Sequence, residues 1–310
     1  MALGPLTRMF LAITLTAVVC IGGSYALFSG DNNTRISVSG STSLQPLMDA
    51  WQIEYEEDHA VILYISGGGS AAGRTNTLNG ISDIGMASSP TASAGLEQHL
   101  VAYDGVVVVV SSNITLSNLA TTDIKDIFTL DGANEKTWAN YTGSGSAAAI
   151  TTVVREAGSG TRDSFNAGIN MSGSDTYKGG TNYQEMGSSG GVLNFIQLHD
   201  DCIGYVNMNS LAEIIGGSNV LFDKVKAISV DGVQPTADNV KKQCDSGYAA
   251  GTAYPLSRSL FVLTKTGGLT GEVKAFIQWM YSDDAQRIAE ENGFVGLTDN
   301  HLTAEWSRVR

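Results

Sequence analysis

The sequence predicts an α/β fold with a largely parallel sheet flanked by helices. Short apolar strands recur along the chain. Each leads through a Gly- and Ser-rich loop into a segment with helical 3.6-residue spacing. At 310 residues the chain is too long for one small core, so two lobes are expected.

The elements follow in order. Ile36-Ser37-Val38 alternates as a strand and runs into Gly40-Ser41-Thr42-Ser43. Leu44, Leu47, Met48, Trp51 and Tyr55 then lie on one helical face, with Pro46 fitting the first turn. Val61 to Ile65 is the next strand. It is followed by Gly67 to Gly73, with a helix starting near Ser70. Ile84 to Ala87 is a strand ending at Ser88-Ser89-Pro90, and Val106 to Val110 is wholly apolar. In a second set, Thr121 or Thr122 caps a helix carrying Ile124, Ile127 and Phe128. Ile150 to Val154 is a β-branched strand. It enters Arg155-Glu156-Ala157-Gly158-Ser159-Gly160-Thr161-Arg162, then a helix with Phe165 and Ile169. Val192, Phe195 and Ile196 mark another helix, and Ile203 to Val206, Val225 to Val230 and Leu260 to Leu263 are strands. Thr270 to Glu291 reads as two amphipathic helices with Phe276, Ile277, Met280 and Ile288 inward.

Charge and the N-terminus narrow the setting. The chain has 18 basic and 31 acidic residues, a net charge of −13, and no basic run, which argues against a nucleic-acid partner. Arg8 precedes Met9 to Phe28, a stretch without charge and about long enough to cross a bilayer. An uncleaved N-terminal hydrophobic helix is the favoured reading, with signal cleavage or lipidation at Cys20 as alternatives. All three place the remainder outside the cytoplasm. Cys202 and Cys244 are then either a disulfide pair or two unrelated buried thiols.

Three loops share one design. Gly40 to Ser43, Gly69-Ser70 and Gly158 to Thr161 each follow a strand and open a helix. The first helical N–H groups lack backbone partners and carry the positive end of the helix dipole. Gly lets the main chain approach a ligand, and Ser or Thr adds hydroxyl donors. Arg155 ends the strand before the third loop, where its planar fork can donate two hydrogen bonds to one tetrahedral anion. Any one junction reads equally as a helix cap, and Arg155 alone as a surface ion pair. Their combination points to a small-anion site that needs no cofactor or metal.

These residues carry a family resemblance. Val154 to Arg162 with Phe165 resembles the signature of PstS-type phosphate-binding proteins of ABC transporters. Ile36 to Pro46 is similar to their first binding loop, Ser82 to Pro90 to the strand end after the second, and Ile127-Phe128 with Trp138 to a spacer. Tyr254 to Arg258 resembles the return crossover, and Gln278 to Leu297 the C-terminal helices. The resemblance implies a two-lobed periplasmic-binding-protein fold of type II, each lobe a mixed, largely parallel sheet. It implies a first lobe over residues 35–110 with 255–310 and a second over 111–254, after an anchor or signal segment with its tether over 1–34. It implies a monomer holding inorganic phosphate through Ser41, Thr42, Ser43, Ser70, Arg155, Ser159, Gly160 and Thr161. ABC permease subunits are the implied partners, and the outer face of the membrane the implied location. Ser88 stands where long members of the family carry an Asp that accepts the phosphate proton, so Ser88 is the expected acceptor. Arg162 is either a second guanidinium for the anion or the partner of Glu156.

Other function classes are weighed on residues. His59, His99, His199 and His301 fall in no motif, and Gly158 to Thr161 is displaced from the Gly-x-Ser-x-Gly elbow, so catalysis is not expected. The same fold could serve an anchored anion sensor, or a receptor for sulfate, molybdate or tungstate.

Overall fold

The computed structural model describes residues 34–130, 132–142, 149–211, 214, 221–245 and 253–310. The expected N-terminal hydrophobic helix lies outside the described residues. Among these, no helix is long and apolar enough to cross a membrane.

Strand β1 (Thr34–Gly40), helix α1 (Gln45–Asp58), β2 (Val61–Ser66), α2 (Gly69–Leu78) and β3 (Ile84–Ala87) form two strand–loop–helix units and a returning strand. β1 pairs in parallel with both β2 and β3. The apolar face of α1 behaves as its spacing requires, since Leu44, Leu47, Met48, Trp51 and Tyr55 are all buried. Strand β4 (Leu96–Ser111) follows, much longer than the Val106 to Val110 run that hydropathy picks out. Glu97, His99 and Asp104 interrupt the apolar pattern there, yet His99 and Asp104 are buried with polar partners.

The second set comprises β5 (Asn118–Leu119), α3 (Thr121–Thr129), β6 (Thr151–Arg155), α4 (Gly160–Gly168), β7 (Tyr183–Met186), α5 (Ser189–Leu198) and β8 (Cys202–Asn207). The expected cap at Thr121 or Thr122 is not made. Ala120 occupies the N-cap, and Thr121 donates from both its N–H and its hydroxyl to Asp231. Ile169 ends α4 as its C-cap instead of continuing it. Val225 to Val230 is two short strands in different sheets, β9 (Val225–Ala227) and β10 (Ser229–Val230). Helix α6 (Ala237–Cys244) leads on to β11 (Ser257–Lys265). α7 (Gly271–Trp279), α8 (Asp283–Glu291) and α9 (Asp299–Val309) complete the chain. The last of these was not expected from the sequence. Only Glu305 and Val309 of α9 are buried, too few to mark an apolar face.

The main sheet has nine strands in the order β2-β1-β3-β11-β4-β8-β6-β7, with β9 also paired to β4. It is mixed: β1–β2, β1–β3, β6–β7 and β6–β8 are parallel, while β4 and β11 run antiparallel to their neighbours. β4 joins the two halves. Leu96 to Gly105 pairs with β11, and Val106 to Val110 switches to β8. Its 16 residues reach about 50 Å at the usual strand rise, enough to thread both halves.

A buried ion pair marks the switch. Asp104 is fully buried and takes Arg258 Nε at 3.0 Å and Nη2 at 2.5 Å. Its other oxygen accepts the N–H groups of Gly105 (2.8 Å) and Met208 (3.0 Å). One carboxylate thus ties the outgoing strand, the returning strand and the end of β8. Removing it strands a buried guanidinium, which typically costs several kcal/mol.

Of the two alternatives for the cysteines, the structure has the separate thiols. Cys202 and Cys244 are both free thiols. Cys202 opens β8 at the end paired toward Val110 and touches Asp200 O, whereas Cys244 ends α6 beside Ser257, Arg258 and Ser259 near the switch. The run from Cys202 to Asn207 spans about 16 Å of strand, beyond the reach of a disulfide. Burial pushes both thiols up to about 12, so they stay protonated and unreactive at neutral pH.

Asp104→Ala is expected to lower unfolding free energy by about 3–5 kcal/mol in urea denaturation. A loss below about 1 kcal/mol would show that the switch region relaxes around Arg258 without the carboxylate.

Candidate functional site

The carboxyl ends of β1, β2, β3 and β6 converge on one cleft, the usual place for a ligand in an open α/β sheet. Chain reversal at β1 depends on Gly40. Its φ is +139°, and a Cβ there would lie 2.3 Å from Met86 O and 2.9 Å from Gly73 Cα. Only glycine lets β1, β3 and the start of α2 approach so closely.

The predicted loops meet across the two halves of the sheet. Ser43 Oγ and Thr161 Oγ1 are hydrogen-bonded to one another. Ser41 Oγ donates to Ser88 Oγ at 3.1 Å, and Ser70 Oγ lies 3.2 Å from the same atom. The Ser88 N–H donates to Ser70 Oγ at 3.1 Å. Ser159 is the N-cap of α4 and accepts the Arg162 N–H at 3.4 Å, so part of its role is the ordinary capping one. Ser41, Ser43, Ser70, Ser88, Arg155, Ser159, Gly160 and Thr161 are all buried, and Thr42 is partly so. The halves close tightly at two glycines. A Cβ on Gly69 would stand 2.5 Å from Gly158 O. One on Gly160 would stand 1.9 Å from Ser88 Oγ and 2.3 Å from Ser70 Oγ.

Arg155 is the cationic centre, only 1% exposed. Its Nε donates to Glu156 Oε2 at 2.8 Å and its Nη2 to Glu156 Oε1 at 2.9 Å. The alternative that paired Glu156 with Arg162 is not seen, because the adjacent carboxylate reaches the buried Arg155 guanidinium in bidentate geometry. The Nε–Nη2 edge is therefore occupied. The Nη1–Nη2 edge points to Thr42 Oγ1 at 3.0 Å and Ser189 Oγ at 3.4 Å, and it is the edge available to an anion.

Arg162 does not supply a second guanidinium to the cleft. Its Nη1 donates to Glu185 Oε2 at 2.7 Å and to the carbonyl of Arg155 at 2.9 Å, and its guanidinium lies 4.7 Å from the Tyr177 ring centroid. Burial works against its charge. The Glu185 hydrogen bond and nearby tyrosine oxygens outweigh burial and leave its pKa above the usual value.

The site includes residues that the motif reading missed. Ser189 starts α5 after β7, so Gly187-Ser188-Ser189 is a further strand–Ser–helix junction that could have been recognised. Ser164 Oγ crosses between the halves to Ser88 O at 2.9 Å. Arg74 Nη2 holds Ser89 O at 3.0 Å and Ser89 Oγ at 2.6 Å, fixing the strand end that bears Ser88. Neither Ser164 nor Arg74 belongs to a local pattern, so no sequence signal marks them.

The histidines are elsewhere. His59 stacks on Tyr55 and His199 on Phe195, His99 contacts Thr264, and His301 contacts Tyr103. Among the described residues, no group of three or more His, Cys, Asp or Glu is placed to hold a metal ion. What the cleft offers is buried hydroxyl groups at helix N-termini and one guanidinium edge that faces hydroxyls. Such an arrangement suits a small tetrahedral anion.

Comparison with known proteins agrees with this geometry. The phosphate-binding protein PstS of Bacillus subtilis is 28% identical over 278 residues, covering 87% of this chain and 83% of that protein. A crystal structure from Clostridium perfringens, described as a phosphate ABC transporter substrate-binding protein with bound phosphate, is 30% identical. It superposes with a TM-score of 0.71 over 86% of this chain and 100% of its own. An ABC-type phosphate transport receptor from Vibrio cholerae gives a TM-score of 0.67 at 25% identity, over 84% of this chain and 99% of its own. A family model described as a PBP superfamily domain matches residues 29–284, and the chain belongs to that superfamily.

Proposed function

We propose that this chain is an extracytoplasmic substrate-binding protein that captures inorganic phosphate between two lobes for an ABC transporter. The observation that carries the reading is that Ser41, Ser43, Ser70, Ser88 and Thr161 meet one another across the two halves, while Thr42 of the first loop lies on the Nη1–Nη2 edge of a buried Arg155. The bound phosphate of the Clostridium perfringens protein, similar over most of this chain, supports the choice of anion. The chain is a solute-binding protein and not an enzyme, in keeping with its superfamily.

The lobes in this proposal are residues 35–110 with 255–310 and residues 111–254. The return at β11 supports that division, while the change of strand partners along β4 falls at Gly105/Val106, so Val106 to Val110 pairs with strands of the second lobe. Gly69 already lies against Gly158, and Gly160 against Ser70 and Ser88, a closed arrangement that would hold the anion away from water. The chain would act as a monomer, attached to the outer face of the membrane through its N-terminal segment and delivering its ligand to permease subunits.

Ser88 favours a second, broader reading, a receptor for tetrahedral oxyanions including sulfate. A carboxylate accepts a proton-bearing phosphate oxygen and repels an anion that has no proton. A hydroxyl both donates and accepts, and so does neither selectively.

Isothermal titration of the full-length protein with phosphate, sulfate and molybdate is expected to show one saturable site for phosphate. Saturation by sulfate or molybdate alone would replace the ligand while keeping the oxyanion site. Arg155→Ala should weaken phosphate binding by about 2–5 kcal/mol, since it truncates a buried, charge-assisted partner. A loss below about 0.5 kcal/mol would remove Arg155 from the site. Ser88→Asp should raise the preference for phosphate over sulfate at least roughly tenfold, and an unchanged ratio would show that Ser88 does not meet the ligand. Gly160→Ala should keep the fold, by circular dichroism, but abolish the phosphate-induced compaction seen in small-angle scattering. Normal compaction would mean that Ser70 and Ser88 yield to the added methyl.

A further inference from the structure

The main chain of Arg155 is gripped from both sides by side chains. Its N–H donates to Tyr205 Oη at 3.1 Å, and its carbonyl accepts from Arg162 Nη1 at 2.9 Å. Arg155 is the last residue of β6, two positions past the final backbone pair with β8, Val153 with Gly204. The β6–β8 ladder has ended there, and the two side chains stand in for it. On the other flank, β7 still pairs with the strand at Met186.

Each clamp is itself held. Arg162 Nη1 also donates to Glu185 Oε2 on β7 at 2.7 Å, and the guanidinium lies over Tyr177. Tyr205 stacks on Phe165 with ring centroids 3.9 Å apart, and its hydroxyl lies 3.4 Å from that of Tyr177. Arg162 and Phe165 belong to α4, whose first residues Gly160 and Thr161 enter the cleft. One helix therefore brings a donor loop to the cleft and locks the strand end that presents the guanidinium. A half-exposed Arg162–Glu185 pair by itself would contribute little. The contact with the Arg155 carbonyl is what links Arg162 to the site.

We infer that Arg162 and Tyr205 are positioning residues for anion capture, acting only through Arg155 by fixing its main chain. This rests on the phosphate-binding reading above. Directed hydrogen bonds from a guanidinium lose much of their strength when the group is misplaced by about 1 Å, so slack at the Arg155 main chain passes directly to the ligand.

The test is phosphate titration of the full-length protein, with thermal unfolding of each variant recorded alongside. Arg162→Ala is expected to weaken binding roughly tenfold to a hundredfold, and Tyr205→Phe about fivefold. Arg162→Lys, whose ammonium can still reach the carbonyl, should stay within about threefold of the unmodified protein. The decisive readout is the cycle with Arg155→Ala, followed by 31P NMR at millimolar phosphate. In that background Arg162→Ala should change residual binding by less than about twofold, because its route to the ligand is gone. Two results overturn the inference. One is binding within about twofold of the unmodified protein for both Arg162→Ala and Tyr205→Phe; the other is an equal loss with and without Arg155. If Arg162→Ala fails to fold, Tyr205→Phe, alone and combined with Arg155→Ala, decides by the same criteria. Absence of phosphate binding by the unmodified protein would instead overturn the phosphate reading, and the same cycle would be run with the oxyanion that binds.

Discussion

A guanidinium taken almost wholly out of water must be neutralised and hydrogen-bonded on each edge, and Arg155 imposes that requirement at the centre of the cleft. Glu156 meets the charge on one edge, while Thr42 and Ser189 meet the other through neutral hydroxyl groups. The division matters for function. An edge fixed by a carboxylate is held in place, whereas an edge facing hydroxyls can exchange them for an anion at small cost. Thr42 comes from the β1 loop, Ser189 from the start of α5, and the Arg155 main chain is secured by β8 and α4. The packing of both halves of the sheet is therefore committed to where this one side chain sits.

The halves are coupled by a second buried charge of a different kind. Asp104 has every oxygen satisfied within the protein, by Arg258 and two backbone N–H groups, which leaves no edge for a ligand. It lies where β4 changes partners, so it constrains the path between the halves. Two buried arginines thus do different work for a reason visible in their partners. Arg258 has its Nε–Nη2 edge taken by an acid from a distant strand and its buried Nη1 left without a partner, while Arg155 has Nη1 and Nη2 facing hydroxyls.

The overall charge of −13 does not oppose this reading. A desolvated cleft responds to the groups within a few ångströms, and here these are helix N-termini, hydroxyl donors and a guanidinium already paired with one carboxylate. Hydroxyls also leave the proton count of the ligand open, which is why Ser88 bears on selectivity more than on whether an anion is held.

Much of the architecture was legible in the chain because it is governed by local rules. Helical spacing identified the buried face of α1, a β-branched run identified β6, and the short stretch Ile203 to Val206 identified β8. Gly-Ser junctions identified the loops that meet in the cleft. Other features were hidden where distant partners override local pattern. The first ten residues of β4 look too polar for a core strand until Thr264 is seen to meet the Nε2 of His99 and Arg258 to pair with Asp104. The cap expected at Thr121 yields to Asp231, more than a hundred residues away, and the two cysteines, which the sequence left either paired or separate, lie at separate places in the fold. By itself the sequence determined which loops set Gly, Ser and Thr at strand-to-helix junctions and that Arg155 stands at the head of one of them, since spacing and residue type suffice for that. Only the tertiary structure decided that Glu156 belongs to Arg155 and Arg162 to Glu185, and that one guanidinium edge of Arg155 faces only hydroxyls. Those choices depend on burial and on the directions of side chains from strands far apart in the chain.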